Sequence, residues 1–293
     1  VNRERKNIRT AVGYYLPNHV IDQIAKNVTD LREGSRLVYG VCMYTDAGQY
    51  STLSETVQPK ELGRIMNDYY QTLFEPVKRH GGLVSNVIGD SMLALWIAAH
   101  PDPLLRHKAC LTAIDIEKAV SRFSQSFALH PLATRISLHA GHILLGNIGA
   151  VDHYEYRPIG DIVNTATRVD SLNKFFGTHI LVSDKVIGQL EGFLAREIGE
   201  FLLAGKTKSI VVHELLSRLK DATASEREAC EVFSEGLAAF RRRAWDGAAE
   251  KFRAADEAFG KDKVSDHYIN LCGFYKAHEP AETWAGVIQI EKK

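Results

Sequence analysis

The sequence predicts an α/β (α+β) domain built on one mixed sheet, followed by an all-helical extension. Short apolar segments rich in β-branched residues alternate with longer segments of helical period as far as residue 216. Hairpin turns occur beside longer helical connections, so neighbouring strands are expected in both antiparallel and parallel pairs. From residue 225 onward the helical period continues without predicted strands. This order predicts a ferredoxin-like mixed sheet with its helices on one face.

The first quarter of the chain predicts a coupling segment, a strand and a long helix. Residues 1–35 predict two short amphipathic helices interrupted at Pro17, because proline lacks the backbone donor that a continuing helix needs. Residues 36–44 are rich in β-branched and aromatic side chains and predict a strand that ends in a turn. Residues 59–77 repeat apolar side chains every three or four positions, which predicts a helix.

A hairpin and a second series of alternating elements follow. Residues 83–88 and 92–97 are apolar runs joined by Gly89-Asp90-Ser91, which predicts an antiparallel hairpin with an acidic tip. The remaining predicted elements are, in order, a helix over 103–127, strands over 134–146 and 153–158, a helix over 162–173, a strand over 180–182, a short helix from 183, and strands over 193–198 and 209–215.

The C-terminal part predicts a separate helical segment. Residues 217–221 are expected to be a linker, and residues 225–293 repeat aromatic and small side chains in a pattern that resembles a tetratricopeptide-type helix pair. One or two such units are too few for a stable solenoid. We therefore expect this extension to pack on the domain of residues 36–216 or on a second copy of it, with a partner-binding module as the alternative.

Composition and charge exclude several classes of protein. Apolar residues make up 45% of the chain, which excludes a disordered one. Lys plus Arg (36) equals Asp plus Glu (36), so no net field favours nucleic-acid binding. No apolar run is long enough for a membrane-spanning helix. The first residue is Val, so we expect a part of a longer protein, with an upstream sensor domain or membrane anchor as open possibilities.

The cysteines and histidines predict neither disulfides nor a metal cluster. Four cysteines are scattered without metal-binding spacing, which suits a reduced, cytoplasmic setting: Cys42, Cys110, Cys230 and Cys272. His139, His142 and His153 lie near one predicted strand pair, and we expect them to be sheet or interface residues rather than ligands.

Two acidic residues stand where the predicted sheet would bring them together. Asp46 follows the first strand and Asp90 lies at the hairpin tip. Neighbouring carboxylates beside a buried sheet raise each other's pKa and are costly unless they bind a cation. Mg²⁺ is commonly held by one or two carboxylates together with substrate phosphates. Spacing alone also allows both to be ordinary turn residues.

An amide and a guanidinium form a second candidate group. Asn164 and Arg168 lie four positions apart on a predicted helix, so they share a face and can meet one charged group. The pattern indicates a phosphate clamp, with an exposed polar stripe as the alternative.

Four segments carry specific motifs in a fixed order. Residues 44–51 read YTDAGQYS, 89–94 read GDSMLA, 135–141 read RISLHAG and 159–168 read IGDIVNTATR. Together they resemble the class III nucleotidyl cyclases, the family of adenylate and guanylate cyclases, and the resemblance extends over residues 36–216. A diguanylate cyclase is disfavoured because its G-G-D/E-E-F hairpin is missing.

The resemblance implies roles for the two candidate groups. Asp46 and Asp90 would hold two Mg²⁺ or Mn²⁺ ions that contact the triphosphate and lower the pKa of the attacking ribose 3′-hydroxyl. Asn164 would orient the ribose, and Arg168 would stabilise charge on the reacting phosphate. Because the family shares its site between two domains, and this chain carries both sets of residues, the resemblance implies a homodimer with composite sites.

The resemblance also implies contacts to the rest of the nucleotide. Arg135 and Lys206 would contact the outer phosphates. Backbone N–H groups of the turn after the first strand would add further donors: Ala47, Gly48, Gln49 and Tyr50.

The base-recognition positions depart from the family pattern. Asn86 replaces the usual Lys, and Arg157 stands where an Asp or Thr is usual. Asn86 can read adenine, and Arg157 can equally donate to guanine O6. We expect an adenylate cyclase that converts ATP to 3′,5′-cyclic AMP and pyrophosphate, with a guanylate cyclase or a catalytically weak nucleotide-binding regulatory module as alternatives.

Overall fold

The computed structural model describes residues 6, 10, 35–126, 132–150 and 153–290. The two helices predicted within residues 1–35, and the coupling role expected of that segment, therefore lie outside the described residues. Among the helices that are described, none is long and apolar enough to span a bilayer.

The elements before residue 160 agree with the predicted order and add one short helix, α1. They are β1 (Arg36–Ala47), α1 (Tyr50–Thr56), α2 (Pro59–Arg79), β2 (Leu83–Ile88), β3 (Ser91–Ala98), α3 (Pro103–Ser126), β4 (Thr134–Ala150) and β5 (His153–Ile159). Strand β4 continues beyond the predicted end at 146 because β5 pairs with its last seven residues.

The second half contains the remaining strands and the C-terminal helices. Its elements are α4 (Asp161–Phe176), β6 (Ile180–Ser183), α5 (Asp184–Ile187), β7 (Phe193–Leu202), β8 (Ile210–Arg218), α6 (Ala224–Arg241), α7 (Trp245–Phe259), α8 (Lys263–Ala277) and β9 (Val287–Gln289). Helix α6 begins at a capping box in which Thr223 Oγ1 accepts from the Glu226 N–H and the Glu226 carboxylate accepts from the Thr223 N–H.

The described strands form one mixed sheet of nine. Their order is β2-β3-β1-β4-β6-β8-β7-β9, with β5 paired to β4 beside this path. Strand β1 is antiparallel to both β3 and β4, whereas β4 and β6 are parallel. The predicted class, a mixed α/β sheet followed by C-terminal helices, is confirmed.

The helices cover both faces of the sheet, so the prediction that they lie on one face is wrong. Val41 and Met43 of β1 pack with α2 and α3 on one face. Cys42, which points the other way, packs with Ile162 and Ala166 of α4. The physical reason is visible in β1, whose apolar residues run on without alternation, as is typical of a strand buried on both sides.

The C-terminal extension packs on the α4 face of the sheet. Phe176 of α4 and Phe201 of β7 share one apolar cluster with Phe233, Phe252 and Tyr268 of the three C-terminal helices. The sequence predicts a wholly helical extension, and this is wrong. Val287–Gln289 form β9, which is parallel to β7 at the sheet edge. The extension therefore continues the core of the sheet domain.

A buried ion network joins the sheet to the extension. Arg196 of β7 donates to Glu214 of β8 at 2.8 Å and to both oxygens of Asp262 at 2.7 and 2.8 Å. Its guanidinium lies 4.1 Å from the ring centre of Phe259. Asp262 also caps α8 by accepting from the Ser265 N–H. Burial alone would raise the pKa of Asp262, but the hydrogen bonds from Arg196 and Ser265 hold it below its ordinary value.

We predict that Arg196→Met lowers the free energy of unfolding by about 3–5 kcal/mol, because it leaves two buried carboxylates without their cation. Urea unfolding followed by circular dichroism measures the change. Lys251→Met is the matched control, since it removes an exposed ion pair with Glu235 and should leave stability unchanged. Equal losses in the two variants would contradict the importance of the buried network.

Candidate functional site

The two predicted acids lie side by side at the end of β1. The β1–β3 register pairs Thr45 with Met92, which brings the turn before β3 next to Asp46. The Asp90 carboxylate accepts a hydrogen bond from the backbone N–H of Ala47. The Tyr70 hydroxyl of α2 donates to the Gly89 carbonyl in the same turn.

The electrostatics of this pair favour a bound cation. Burial raises the pKa of Asp90 above its ordinary value, and the neighbouring Asp46 carboxylate raises it further. Both groups offer hard oxygen donors, which suit Mg²⁺ or Mn²⁺. In the described part of the chain no three or more His, Cys, Asp or Glu side chains converge on a metal-sized site. The pair therefore fits an ion whose remaining ligands are water or substrate oxygens.

Arg135 is the counter-ion of Asp46 in this structure. The two residues are directly opposite in the β1–β4 register, and Arg135 Nη2 donates to Asp46 Oδ2. The other carboxylate oxygen, Asp46 Oδ1, accepts from Ser91 Oγ at 3.2 Å. Arg135, which is predicted to contact the outer phosphates, therefore forms an ion pair with Asp46, which is a predicted metal ligand.

A pocket of about 530 Å³ opens beside the acids and contains the residues predicted for the base and ribose. Asn86, Arg157 and Asn164 all line it. It is connected to the acids by hydrogen bonds, because the Tyr44 hydroxyl and Ser91 Oγ in its wall are 2.9 Å apart and Ser91 also donates to Asp46. The structure therefore brings the base, ribose and metal positions of one chain to neighbouring parts of one sheet face.

The side chains predicted to read the base present hydrogen-bond donors. The Oδ1 atom of Asn86 accepts from the Val87 N–H at 2.8 Å, which leaves the Nδ2 amide hydrogens for a ligand. Arg157 is half exposed and pairs with Glu155 at 3.3 Å. The β2–β3 register shifts between Val84 and Asn86, immediately before this amide.

Arg168 lies outside the pocket lining, one helical turn beyond Asn164. Its guanidinium stands against Gly205, where an added Cβ would be 3.3 Å from Nη2. Lys206 follows this glycine and donates to the Asp161 carboxylate and, at 2.7 Å, to Thr165 Oγ1. The hydrogen bond from Lys206 lowers the pKa of Asp161.

Two of the four turn amides predicted to bind phosphate are already engaged. The Ala47 N–H donates to Asp90, and the Gly48 N–H donates to the Ala133 carbonyl at 2.6 Å. The role predicted for these amides stays a prediction. Ala133 comes from the segment just before β4, so the local sequence does not reveal the partner of Gly48. Gln49 adopts a left-handed conformation (φ 66°) before α1, and Tyr50 begins that helix.

Sequence reasoning missed Asp170, which is buried on α4 beside Arg135. Its Oδ2 atom is 3.8 Å from Arg135 Nε, and its Oδ1 atom has no hydrogen-bond partner. Burial raises the pKa of Asp170 to about 7, although Arg135 opposes the shift. The sequence did contain a signal for this residue. Asp170 lies one turn after Ala166, on the apolar face of the helix, where an acidic side chain is unusual.

The predicted sheet histidines have different surroundings. His139 is 3% exposed, and its Nδ1 lies 2.8 Å from Ser183 Oγ. His142 is exposed and makes an edge contact with Tyr39. The side chain of His153 lies outside the described residues. No group of metal-ligating side chains forms around His139 or His142 in the described chain.

Comparison with known proteins gives a family match over most of the sheet domain. A model described as "Adenylate and Guanylate cyclase catalytic domain" matches residues 39–216, more than half of the chain. Adenylate cyclase 1 of Rhizobium meliloti is 27% identical over 233 residues, which are 77% of this chain and 34% of the relative. An adenylate cyclase of Anabaena cylindrica is 26% identical over 214 residues, 69% of this chain and 42% of the relative.

The similarity of fold extends to solved structures. A bacterial light-regulated adenylyl cyclase aligns with a TM-score of 0.63 at 22% identity, covering 77% of this chain and 66% of that one. The chain spans less than half the length of the two curated relatives.

We predict that mild acid destabilises the protein through His139. Burial lowers the pKa of its ring to about 4 from an ordinary 6.5. As the pH falls from 6.5 towards 4, His139 takes up a proton in the unfolded chain but not in the folded chain. The free energy of unfolding therefore falls over this window, by about 3 kcal/mol in total. His139→Gln should show a smaller loss in urea unfolding over this window. His142→Gln is the control, and if both variants follow the wild-type pH curve the prediction is wrong.

Proposed function

The chain belongs to the family of adenylate and guanylate cyclase catalytic domains, and from this premise we propose that it converts ATP to 3′,5′-cyclic AMP and pyrophosphate. The observation that carries the proposal is the pair Asp46 and Asp90, adjacent on the sheet face onto which the pocket with Asn164 opens. A nucleotide needs both a cation site for its phosphates and a cavity for its base and ribose, and in this chain both open on the face that a second copy would cover.

Asp46 and Asp90 are the residues that would hold the divalent ions that the family uses. When bound, such ions lower the pKa of the ribose 3′-hydroxyl and neutralise phosphate charge. The half-buried position of the carboxylates keeps bulk water from screening this interaction.

The side chains around the pocket would position the nucleotide. Asn164 offers both a donor and an acceptor to the ribose. Arg168 would place a permanent positive charge near the phosphate at which the new bond forms. Lys206 would contact the outer phosphates after releasing the Asp161 carboxylate, which is mostly exposed and can return to water.

We propose that two copies of the chain complete each site, one supplying the acids and the other the pocket. The pocket is rimmed by exposed apolar side chains, Ile88 at 72% and Ile159 at 41% exposure, which favour cover by a second protein surface. The family resemblance supports the same arrangement.

Guanine is the second candidate base, and a specific observation favours it. Asn86 and Arg157 present donors to the pocket, and guanine O6 and N7 are both acceptors. The preference for ATP is supported by the two bacterial relatives, both adenylate cyclases. A weak nucleotide-binding regulatory module is the remaining alternative.

We predict that the purified chain forms cyclic AMP from ATP with Mg²⁺ or Mn²⁺, and forms less cyclic GMP from GTP. Asp46→Asn should lower the rate at least about 100-fold, because it removes a charged metal ligand. Asp246→Asn, which changes an exposed acid on α7, is the control and should keep the wild-type rate. Chromatography of the products measures both rates.

The outcomes of this assay separate the alternatives. Faster cyclic GMP formation would assign the guanylate cyclase. Nucleotide binding without either cyclic product would leave the regulatory module, and a wild-type rate in Asp46→Asn would exclude the metal role.

We also predict that two inactive variants restore activity when mixed. Asp46→Ala and Asn164→Ala each damage both sites of their own homodimer, but a mixed dimer contains one intact site. Random exchange at equal amounts should return up to about a quarter of the wild-type rate. A mixture as inactive as its parents would mean that the acids and the pocket do not meet across a dimer.

A further inference from the structure

Arg135 lies between the carboxylates of Asp46 and Asp170, and of these two its guanidinium makes a hydrogen bond only to Asp46. Its Nη2 donates to Asp46. Its Nε is buried without a hydrogen-bond partner, 3.8 Å from Asp170 Oδ2. Buried donors are nearly always satisfied, so the unpartnered Nε marks a pair that is only half formed.

Asp170 has the complementary deficiency. Its side chain is 10% exposed, and its Oδ1 atom has no partner. The nearby Asn173 side chain donates to the Ile136 carbonyl at 2.8 Å. Asn173 also makes a hydrogen bond to the Asp170 carboxylate. Arg135 is paired with this carboxylate at 3.8 Å, and a small movement of its guanidinium would bring the unpartnered Nε within hydrogen-bond distance of Asp170 Oδ2.

The helix that carries Asp170 is fixed to β4. Ser137 Oγ donates to the Ala166 carbonyl at 2.8 Å, and Asn173 donates to Ile136. These two bonds hold α4 to the strand on both sides of Asp170. The flexible partner is therefore the long Arg135 side chain.

A cation bound to Asp46 would lie beside the Arg135 guanidinium, so the two positive charges would repel each other. The Oδ2 atom of Asp46 accepts from Arg135 and its Oδ1 atom accepts from Ser91. Each oxygen retains a lone pair for the ion, but the charge of the ion weakens the attraction of the carboxylate for the guanidinium. The guanidinium then needs another anion within reach.

We propose that Asp170 is a positioning residue that receives the Arg135 guanidinium when Asp46 binds a divalent cation. The proposal rests on the metal role of Asp46 in the proposed function. Without a cation, Arg135 pairs with the Asp46 carboxylate. When a cation binds, Asp170 keeps the guanidinium beside the site, where it can contact phosphate.

The test measures Mn²⁺ binding without nucleotide, by the electron paramagnetic resonance signal of free Mn²⁺, for the full chain. Asp170→Asn should weaken Mn²⁺ binding roughly tenfold, because Arg135 then stays on Asp46. Arg135→Met should strengthen binding by removing the repelling positive charge. Adding Asp170→Asn to Arg135→Met should cause no further loss, because Asp170 acts through Arg135.

The double variant distinguishes this role from simple charge attraction. If Asp170 attracted the cation directly, Asp170→Asn would weaken binding equally with and without Arg135, and that result would overturn the proposal. Unchanged binding in Asp170→Asn alone would overturn it as well. Thermal unfolding checks that each variant folds, and Asp170→Ser replaces Asp170→Asn in the cycle if the latter does not.

Asp46→Asn separates failure of this proposal from failure of the proposed function. If wild type and Asp46→Asn bind Mn²⁺ equally, the metal role of Asp46 is wrong and the role of Asp170 is wrong with it. If Asp46→Asn loses binding while Asp170→Asn binds as the wild type does, only the role of Asp170 is wrong.

Discussion

The pairing of β1 with both β3 and β4 is the constraint on which the candidate site depends. This register places Asp46 opposite Arg135 and beside the turn that carries Asp90. Side chains alternate along a strand, so a slip of one residue would move Asp46 from the α4 face to the opposite face. Because β1 is buried on both sides, such a slip would be costly. It would move Val41 and Cys42 each out of its own apolar cluster and into the cluster on the opposite face.

The C-terminal extension contributes to the same site through α4. That helix presents Asn164 towards the pocket, while Val169, Leu172 and Phe176 on its other side pack in one apolar cluster with the extension. The buried Arg196 network fixes this packing by tying the start of α8 to the sheet. The extension thus packs against the helix that carries Asn164.

Features that depend on local sequence pattern could be predicted from the sequence. Contacts between residues far apart in the chain could not. Strand and helix order follows from periodicity, and the closeness of Asp46 and Asp90 follows from a strand end beside a hairpin tip. The partners of Asp170 and Gly48 did not follow, because Arg135 and Ala133 approach them only after β4 has paired with β1. The uninterrupted apolar run of β1 did contain the signal for helices on both faces.

The residues proposed to select the base and those proposed to hold the cation lie at different positions in this fold. Asn86 is on β2 and Arg157 on β5, whereas the acids stand at the end of β1 and in the turn before β3. The β1–β3 and β1–β4 pairings that bring the acids together do not include Asn86 or Arg157, although Asn86 shares the β2–β3 hairpin with Asp90. The proposed base preference therefore depends on Asn86 and Arg157, and the proposed metal binding depends on Asp46 and Asp90. Base preference and metal binding are thus proposed for different residues, so evidence against ATP would leave the family membership of the chain intact.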